Sequence, residues 1–171
     1  MAGVIPVLNS QGTKIYIVDV PSTPWADCTA AVTAIKAGKL VGCPQSIGSI
    51  EESRAVTEYK CMSSNETAKA LGSITRGNIE IGLLFDPDDT DGQKALKDAW
   101  LANSTFVVGI ELPDIDVTAG ATGASGTLFW FSGAISAVST GIVQDEAISY
   151  TVTIEISSNV TECPKVAGKA P

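Results

Sequence analysis

Residues 146–157 read EAISYTVTIEIS. Ile148, Tyr150, Val152, Ile154 and Ile156 recur at every second position, with Ser149, Thr151, Thr153 and Glu155 between them. Side chains along a strand reverse sides at each residue, so this spacing puts an apolar row on one face and a small polar row on the other. Such a pattern belongs to an antiparallel strand with one face buried. The same period returns upstream in GSITRGNIEIGLLF (72–85), where Ile79, Ile81, Leu83 and Phe85 share a face. TKIYIVDV (13–20), STFVVGIEL (104–112) and TLFWFSGAISAVS (127–139) have the β-branched and aromatic composition of strands. SIGSIEESRAVTEYKCM (46–62) alternates imperfectly and predicts a long hairpin arm with a flexible middle.

Two segments break the β pattern. ADCTAAVTAIKAGK (26–39) offers Asp27 as an N-cap and Gly38 as a stop, which predicts a short helix. DPDDTDGQKALKDAW (86–100) contains Thr90-Asp91-Gly92-Gln93, the T-x-x-Q form of a capping box. In that reading Thr90 caps the amide of Gln93, Gln93 reaches back, and a helix runs over about 91–102. Gln93, Leu96 and Trp100 then share one side with Ala95 and Ala99 beside them, so Leu96 and Trp100 are expected to anchor the helix on the sheet. The aspartates do not make a calcium loop. With Gly92 at the turn position of an EF-hand, Pro87 falls on the first ligand position and Asp98 replaces the closing glutamate. No metal and no other cofactor is expected.

A chain of 171 residues with 44% hydrophobic and 18% charged content predicts one folded domain spanning 1–171, with mobile arms at 1–12 and 158–171. The net charge of −8 argues against a surface built to neutralise nucleic-acid phosphates. The opening AGVIPVLNSQGTK lacks the basic and long apolar regions of a secretory signal, and no apolar run approaches the roughly 18 residues of a membrane span. No membrane partner is expected. Four cysteines without a C-x-x-C pair, and no histidine, exclude the common zinc signatures and the Ser-His and Cys-His nucleophile pairs. The cysteines are expected as buried free thiols, as in a reducing cytosol. GATGASG (120–126) leads into a strand, whereas phosphate-binding glycine loops lead into a helix. Residues 113–126, with Asp114, Gly120, Gly123 and Gly126, are read as a mobile loop. Carboxylate-pair hydrolysis is a question of geometry that composition leaves open.

The order of elements, ITRGNIEIGLLFDP, then DGQKALKDAW, then TFVVGIEL, then LFWFSGAISAVSTGIVQDEAISYTVTIEISSNV, resembles the major tail, or tail tube, proteins of long-tailed bacteriophages. The resemblance covers most of the chain and carries no catalytic signature. It implies an antiparallel β-sandwich or half-barrel with one flanking helix. It also implies homo-oligomeric, hexameric rings that stack into a hollow, β-barrel-lined tube through which DNA passes without specific binding. The subunit would be made in the host cytoplasm, reside in the virion tail, and meet other tail proteins at the tube ends. The C-terminal immunoglobulin-like domain of many members is not expected here. Joined to the acidic balance, the resemblance makes Glu51, Glu52, Asp145, Glu146 and Glu155 candidates for the channel wall. It makes 1–12, 49–70, 113–126 and 158–171 candidates for contacts that order on stacking. A β-sandwich binding module, adhesin-like or pilin-like, is the alternative, and an enzyme comes third.

Overall fold

The computed structural model of the protein describes residues 10–60, 62, 66–115 and 124–166. The elements run β1 (Lys14–Asp19), α1 (Cys28–Lys36), β2 (Lys39–Leu40), β3 (Pro44–Ile47), β4 (Glu52–Lys60), β5 (Thr67–Arg76), β6 (Asn78–Leu84), α2 (Gly92–Ala102), β7 (Phe106–Glu111), β8 (Leu128–Gly141), β9 (Ser149–Ile156) and β10 (Thr161–Cys163). Eight strands form one antiparallel sheet in the order β2, β1, β7, β8, β9, β6, β3, with β10 beside the start of β8. β4 and β5 form a separate two-stranded ribbon.

The alternation in β9 is realised from residue 149 onward: Tyr150, Val152, Ile154 and Ile156 are buried while Ser149 and Glu155 are exposed, whereas Ile148, read as the first of the buried row, precedes the strand and is exposed. Ile79, Ile81 and Leu83 of β6 pair with Ile154, Val152 and Tyr150, which continues the apolar row across strands. Phe131, Ile135, Val108, Phe106, Ile15 and Ile17 complete this cluster, and Leu96 of α2 enters it. The stretch 72–85, read as one strand, is divided at Gly77, and Phe85 lies exposed beyond the end of β6. Of the stretch 49–70, read as mobile, residues 52–60 and 67–70 are strand, with β4 and β5 paired from Glu52↔Arg76 to Lys60↔Thr67.

Two helices flank the sheet where the resemblance implied one. α1 begins as the sequence indicates, with the Asp27 side chain accepting from Ala30 N at 2.8 Å. Val32 and Ile35 pack on the opposite face of the sheet with Tyr16, Val107, Leu128 and Cys163. Gly109 of β7 makes this approach feasible, because a Cβ there would lie 2.3 Å from Ile35 Cγ2.

α2 forms over nearly the expected residues, but its cap is different. Asp89, not Thr90, caps it: Oδ1 accepts from Asp91 N (3.0 Å) and Gly92 N (2.8 Å), and Oδ2 from Gln93 N (3.1 Å) and Gly42 N (3.2 Å). Gln93 is buried and bonds elsewhere. Its Nε2 donates to Leu84 O (2.7 Å) and its Oε1 accepts from Asp86 N (3.1 Å), tying the helix start to the end of β6. Partial burial pushes the Asp89 carboxyl up, yet the four backbone donors together hold it below the ordinary carboxylate value. Because the folded state depresses this group, its contribution is present above the unfolded value, near 4, and is lost as pH falls through the folded one. Asp89→Ala should therefore cost about 1 to 2 kcal/mol in chemical denaturation at neutral pH. Thr90→Ala, at an exposed site, should cost less than about 0.5 kcal/mol. Equal effects at the two positions would contradict the cap.

The anchor role read for Trp100 is also corrected. Leu96 is 1% exposed, but Trp100 is 42% exposed. A groove of about 680 Å³, lined by Ala95, Ala99 and Ala102 against Ile17 and Leu40, separates the last turns of α2 from β1 and β2. Periodicity gives the angular position of a side chain on its helix, not how far the supporting surface extends beneath it.

The expectation of free cysteines fails for two of the four. Cys28, the first residue of α1, is bonded to Cys163 of β10 with Cα atoms 5.4 Å apart and a sequence separation of 135. Cys43 is free and exposed, and Cys61 lies outside the described residues.

Candidate assembly and channel surface

The face of the sheet opposite the main core is only half covered. α1 sits over β1, β7 and the first half of β8. Over β6, β9 and the second half of β8 the same face carries cross-strand rows Asn78–Glu155–Ala134, Glu80–Thr153–Ala137, Gly82–Thr151–Ser139 and Leu84–Ser149–Gly141. Directly paired residues project to one side, so these rows form one surface. Apart from Leu84 its side chains are small or polar, it carries the carboxylates of Glu80 and Glu155, and these rows hold no cation.

Both lateral edges of this surface are open among the described strands. β3 is the last strand in the order, with no partner beyond it. β7 pairs only with residues 128–133 of β8, so residues 134–141 are paired with β9 alone. A β-bulge between Ile135 and Ala137 marks where β8 leaves the covered region. Unpaired strand edges are templates for pairing with another chain.

The five acids proposed for a channel wall are not gathered in one place. Glu155 is on the uncovered face. Asp145, at φ 64°, and Glu146 lie in the turn between β8 and β9. Glu51 and Glu52 stand at the root of the ribbon, where Glu52 Oε1 is 2.9 Å from Arg76 Nε and Gly77 N donates to Glu51 O. Glu80 was missed, although the alternation that buries Ile79 and Ile81 places it with Asn78 on the outward row.

The ribbon β4–β5 is exposed along both strands, and Val56, Tyr59 and Leu71 are each more than half exposed. A lone two-stranded ribbon is marginally stable in water, so one that exposes apolar side chains needs a partner surface. Between Glu52 and Arg76 it carries four bases (Arg54, Lys60, Lys69, Arg76) against three acids (Glu52, Glu58, Glu66), a balance of +1; the chain total of −8 leaves −9 on the remainder.

The loop at 113–126 is pinned at both ends. Asp114 accepts from Thr127 N (2.7 Å) and Thr127 Oγ1 (2.6 Å), and Gly126 N donates to Glu111 Oε1 (3.1 Å). Gly126 is fixed by space, since a Cβ would lie 2.0 Å from Leu112 O. Gly120 and Gly123 lie outside the described residues. Glu111 is 1% exposed, with Lys36 Nζ at 2.9 Å and the Tyr16 hydroxyl donating to Oε2 at 3.1 Å. Burial first, and then the adjacent carboxylate, push the Tyr16 hydroxyl up to about 12. Lys36 Nζ also donates to Ala124 O, and Ser125 and Val166 exchange backbone hydrogen bonds, so residues near 124–127 and 166 are held to the body of the subunit. The C-terminal stretch read as an arm from 158 thus begins with β10 and this bridge.

Among the described residues no cluster of histidine, cysteine, aspartate or glutamate has the arrangement of a metal site, and no helix is long and apolar enough to cross a membrane. The larger clefts are open grooves: one has Glu52 and Glu162 among apolar and small side chains, and the other has Asp19, Asp91, Asp98 and Lys39.

Solved structures share this fold. The SPP1 tail tube, determined by solid-state NMR and cryo-EM, superposes with a TM-score of 0.60 at 13% identity, over 96% of this chain and 81% of that one. A chain of the anti-feeding prophage baseplate gives 0.67 at 9% identity, over 95% and 98%. One from the sheath–tube complex of the extracellular contractile injection system PVC gives 0.60 at 14%, over 95% and 93%. No curated protein matches the sequence. The sequence profile described as phage tail tube, TTP, lambda-like matches residues 6–166, so the chain belongs to the lambda-like phage tail tube family and is a structural subunit of the virion tail.

Proposed function

We propose that this subunit closes into rings, six to a ring, whose channel is lined by the uncovered face of β8 (134–141), β9, β6 and β3. The observation that carries the reading is that face itself: mostly small or polar side chains, two carboxylates, no cation in its rows, and an open strand edge on each side. Pairing the β3 edge of one copy with the β8 edge of the next is a head-to-tail contact, which generates a closed ring when the rotation between copies closes. It also removes both exposed edges. The resulting wall neither contacts phosphates as a basic surface would nor repels DNA far from itself, since screening confines its field to about 8 Å at physiological salt. DNA then passes without being gripped. The ribbon β4–β5 reaches a neighbouring copy and buries Val56 and Leu71 there, its positive balance matching the acidic body. Terminal tail proteins cap the stack, and no catalytic step is involved.

Replacing Glu80 and Glu155 together by lysine changes the wall from −2 to +2 per subunit and leaves the buried rows untouched. Tubes should still be visible by electron microscopy. They should now bind short double-stranded DNA at low salt, with affinity falling by at least about tenfold between 50 and 200 mM salt. Variant tubes that bind DNA no better than the parent at low salt would place these side chains away from the channel.

A further inference from the structure

We propose that Cys28 and Cys163 form a redox-set staple, open while subunits assemble in a reducing cytosol and closed afterwards in the finished tube. The inference rests on the tail-tube reading, because the released tail is what meets an oxidising medium.

The fold brings the two sulfurs together without needing the bond. α1 is held by the Asp27 cap and by Val32 and Ile35 against the sheet. β10 is held by its register on β8, Thr161↔Trp130 to Cys163↔Leu128. Trp25, just ahead of α1, packs edge-on against Trp130 with ring centroids 4.8 Å apart, adding a second contact between the same regions. The reduced subunit therefore keeps the positions of both elements. Neither element belongs to the uncovered sheet face or to its β3 and β8 edges, so ring closure does not depend on the bond.

The two cysteines are suited to different roles. Cys28 is partly exposed in the first turn of α1, where a small molecule can reach its sulfur. Cys163 is fully buried behind it. The Cys28 thiolate attacks a small-molecule disulfide such as oxidised glutathione, forming a mixed disulfide and expelling one small thiolate. Cys163 then gives up its proton to solvent and attacks the Cys28 sulfur. The second small thiolate leaves as the protein S–S bond forms. Two electrons pass from the cysteine pair to the small disulfide, which is reduced to two thiols. A bond across 135 residues restricts the unfolded chain strongly, so its closure after assembly hardens the subunit where it stands.

The test uses the full chain. Cells producing it are lysed under denaturing conditions into an alkylating agent, so that the buried Cys163 is reached, and peptides containing Cys28 and Cys163 are read by mass spectrometry before and after treatment of assembled tubes with oxidised glutathione. Both thiols should be alkylated in fresh lysate and linked to each other after treatment. Reduced wild-type subunits should form tubes, and oxidation should raise the melting temperature of dispersed subunits by roughly 5 to 10 °C. Cys28→Ser should abolish that rise; if the variant does not fold, the wild-type comparison with and without reductant gives the same readout. The staple is overturned if the pair is already linked in fresh lysate, if oxidised glutathione leaves both thiols free, or if only oxidised subunits assemble. Failure of both redox forms to assemble counts against the tube reading, while the trapped thiols and the melting shift still decide the staple chemistry.

Discussion

Glu111→Leu should destabilise the isolated subunit by about 3 to 5 kcal/mol, more than any surface substitution. Leucine is close to glutamate in size, so the loss is electrostatic and not a cavity. The carboxylate is 1% exposed and serves three donors at once: Lys36 Nζ, the Tyr16 hydroxyl and Gly126 N. Removing it leaves the hydroxyl and the amide buried with no acceptor, each costing about 1 to 3 kcal/mol, and deprives the ammonium of its counter-charge. Lys36→Met should cost less, because Lys36 is itself about a third exposed and Glu111 keeps two donors. Urea denaturation of the unassembled protein measures both, and a Glu111→Leu midpoint equal to the parent's would refute the account. The same substitution should increase protease cleavage between 113 and 126, since Glu111 and Lys36 hold Gly126 and Ala124 in place.

The second large effect is at Leu96. Leu96→Ala should cost about 3 kcal/mol, within the usual range for a buried leucine truncated in a close-packed core. Its side chain joins the cluster of Ile15, Ile17, Phe106 and Phe131, and it is the fully buried large side chain of α2. Trp100→Ala should cost less than about 1 kcal/mol in the isolated subunit, because the ring is 42% exposed. Thermal melts of the two variants compare the sites directly. A Trp100→Ala loss as large as that of Leu96→Ala would contradict the exposed position of the indole. In assembled tubes the comparison changes, since exposed Trp100 and Leu101 are free to be covered by a neighbouring copy.

Residues 149–156 and 78–84 specified their strands unaided, because a period of two and a buried face leave one register for the apolar row; the break at Gly77 that sends 67–76 into the separate ribbon was not legible in that alternation. Asp27 likewise announced α1, since an N-cap is a contact across three residues that needs nothing beyond local sequence. The family was legible in the order and spacing of elements. The acidic balance of −8 was legible as a composition, but not as a surface. Only the tertiary structure showed that Glu80 and Glu155 share a face while Asp145 and Glu146 sit in a turn and Glu52 is paired with Arg76. Only the tertiary structure selected Asp89 over Thr90 as the cap, because Asp89 also reaches Gly42, 47 residues away in sequence. The same holds for Cys28 and Cys163, and for Trp100 against Leu96. Local pattern fixes which way a side chain points along its own element; what it meets depends on how far neighbouring elements extend and which distant segments the topology brings beside it.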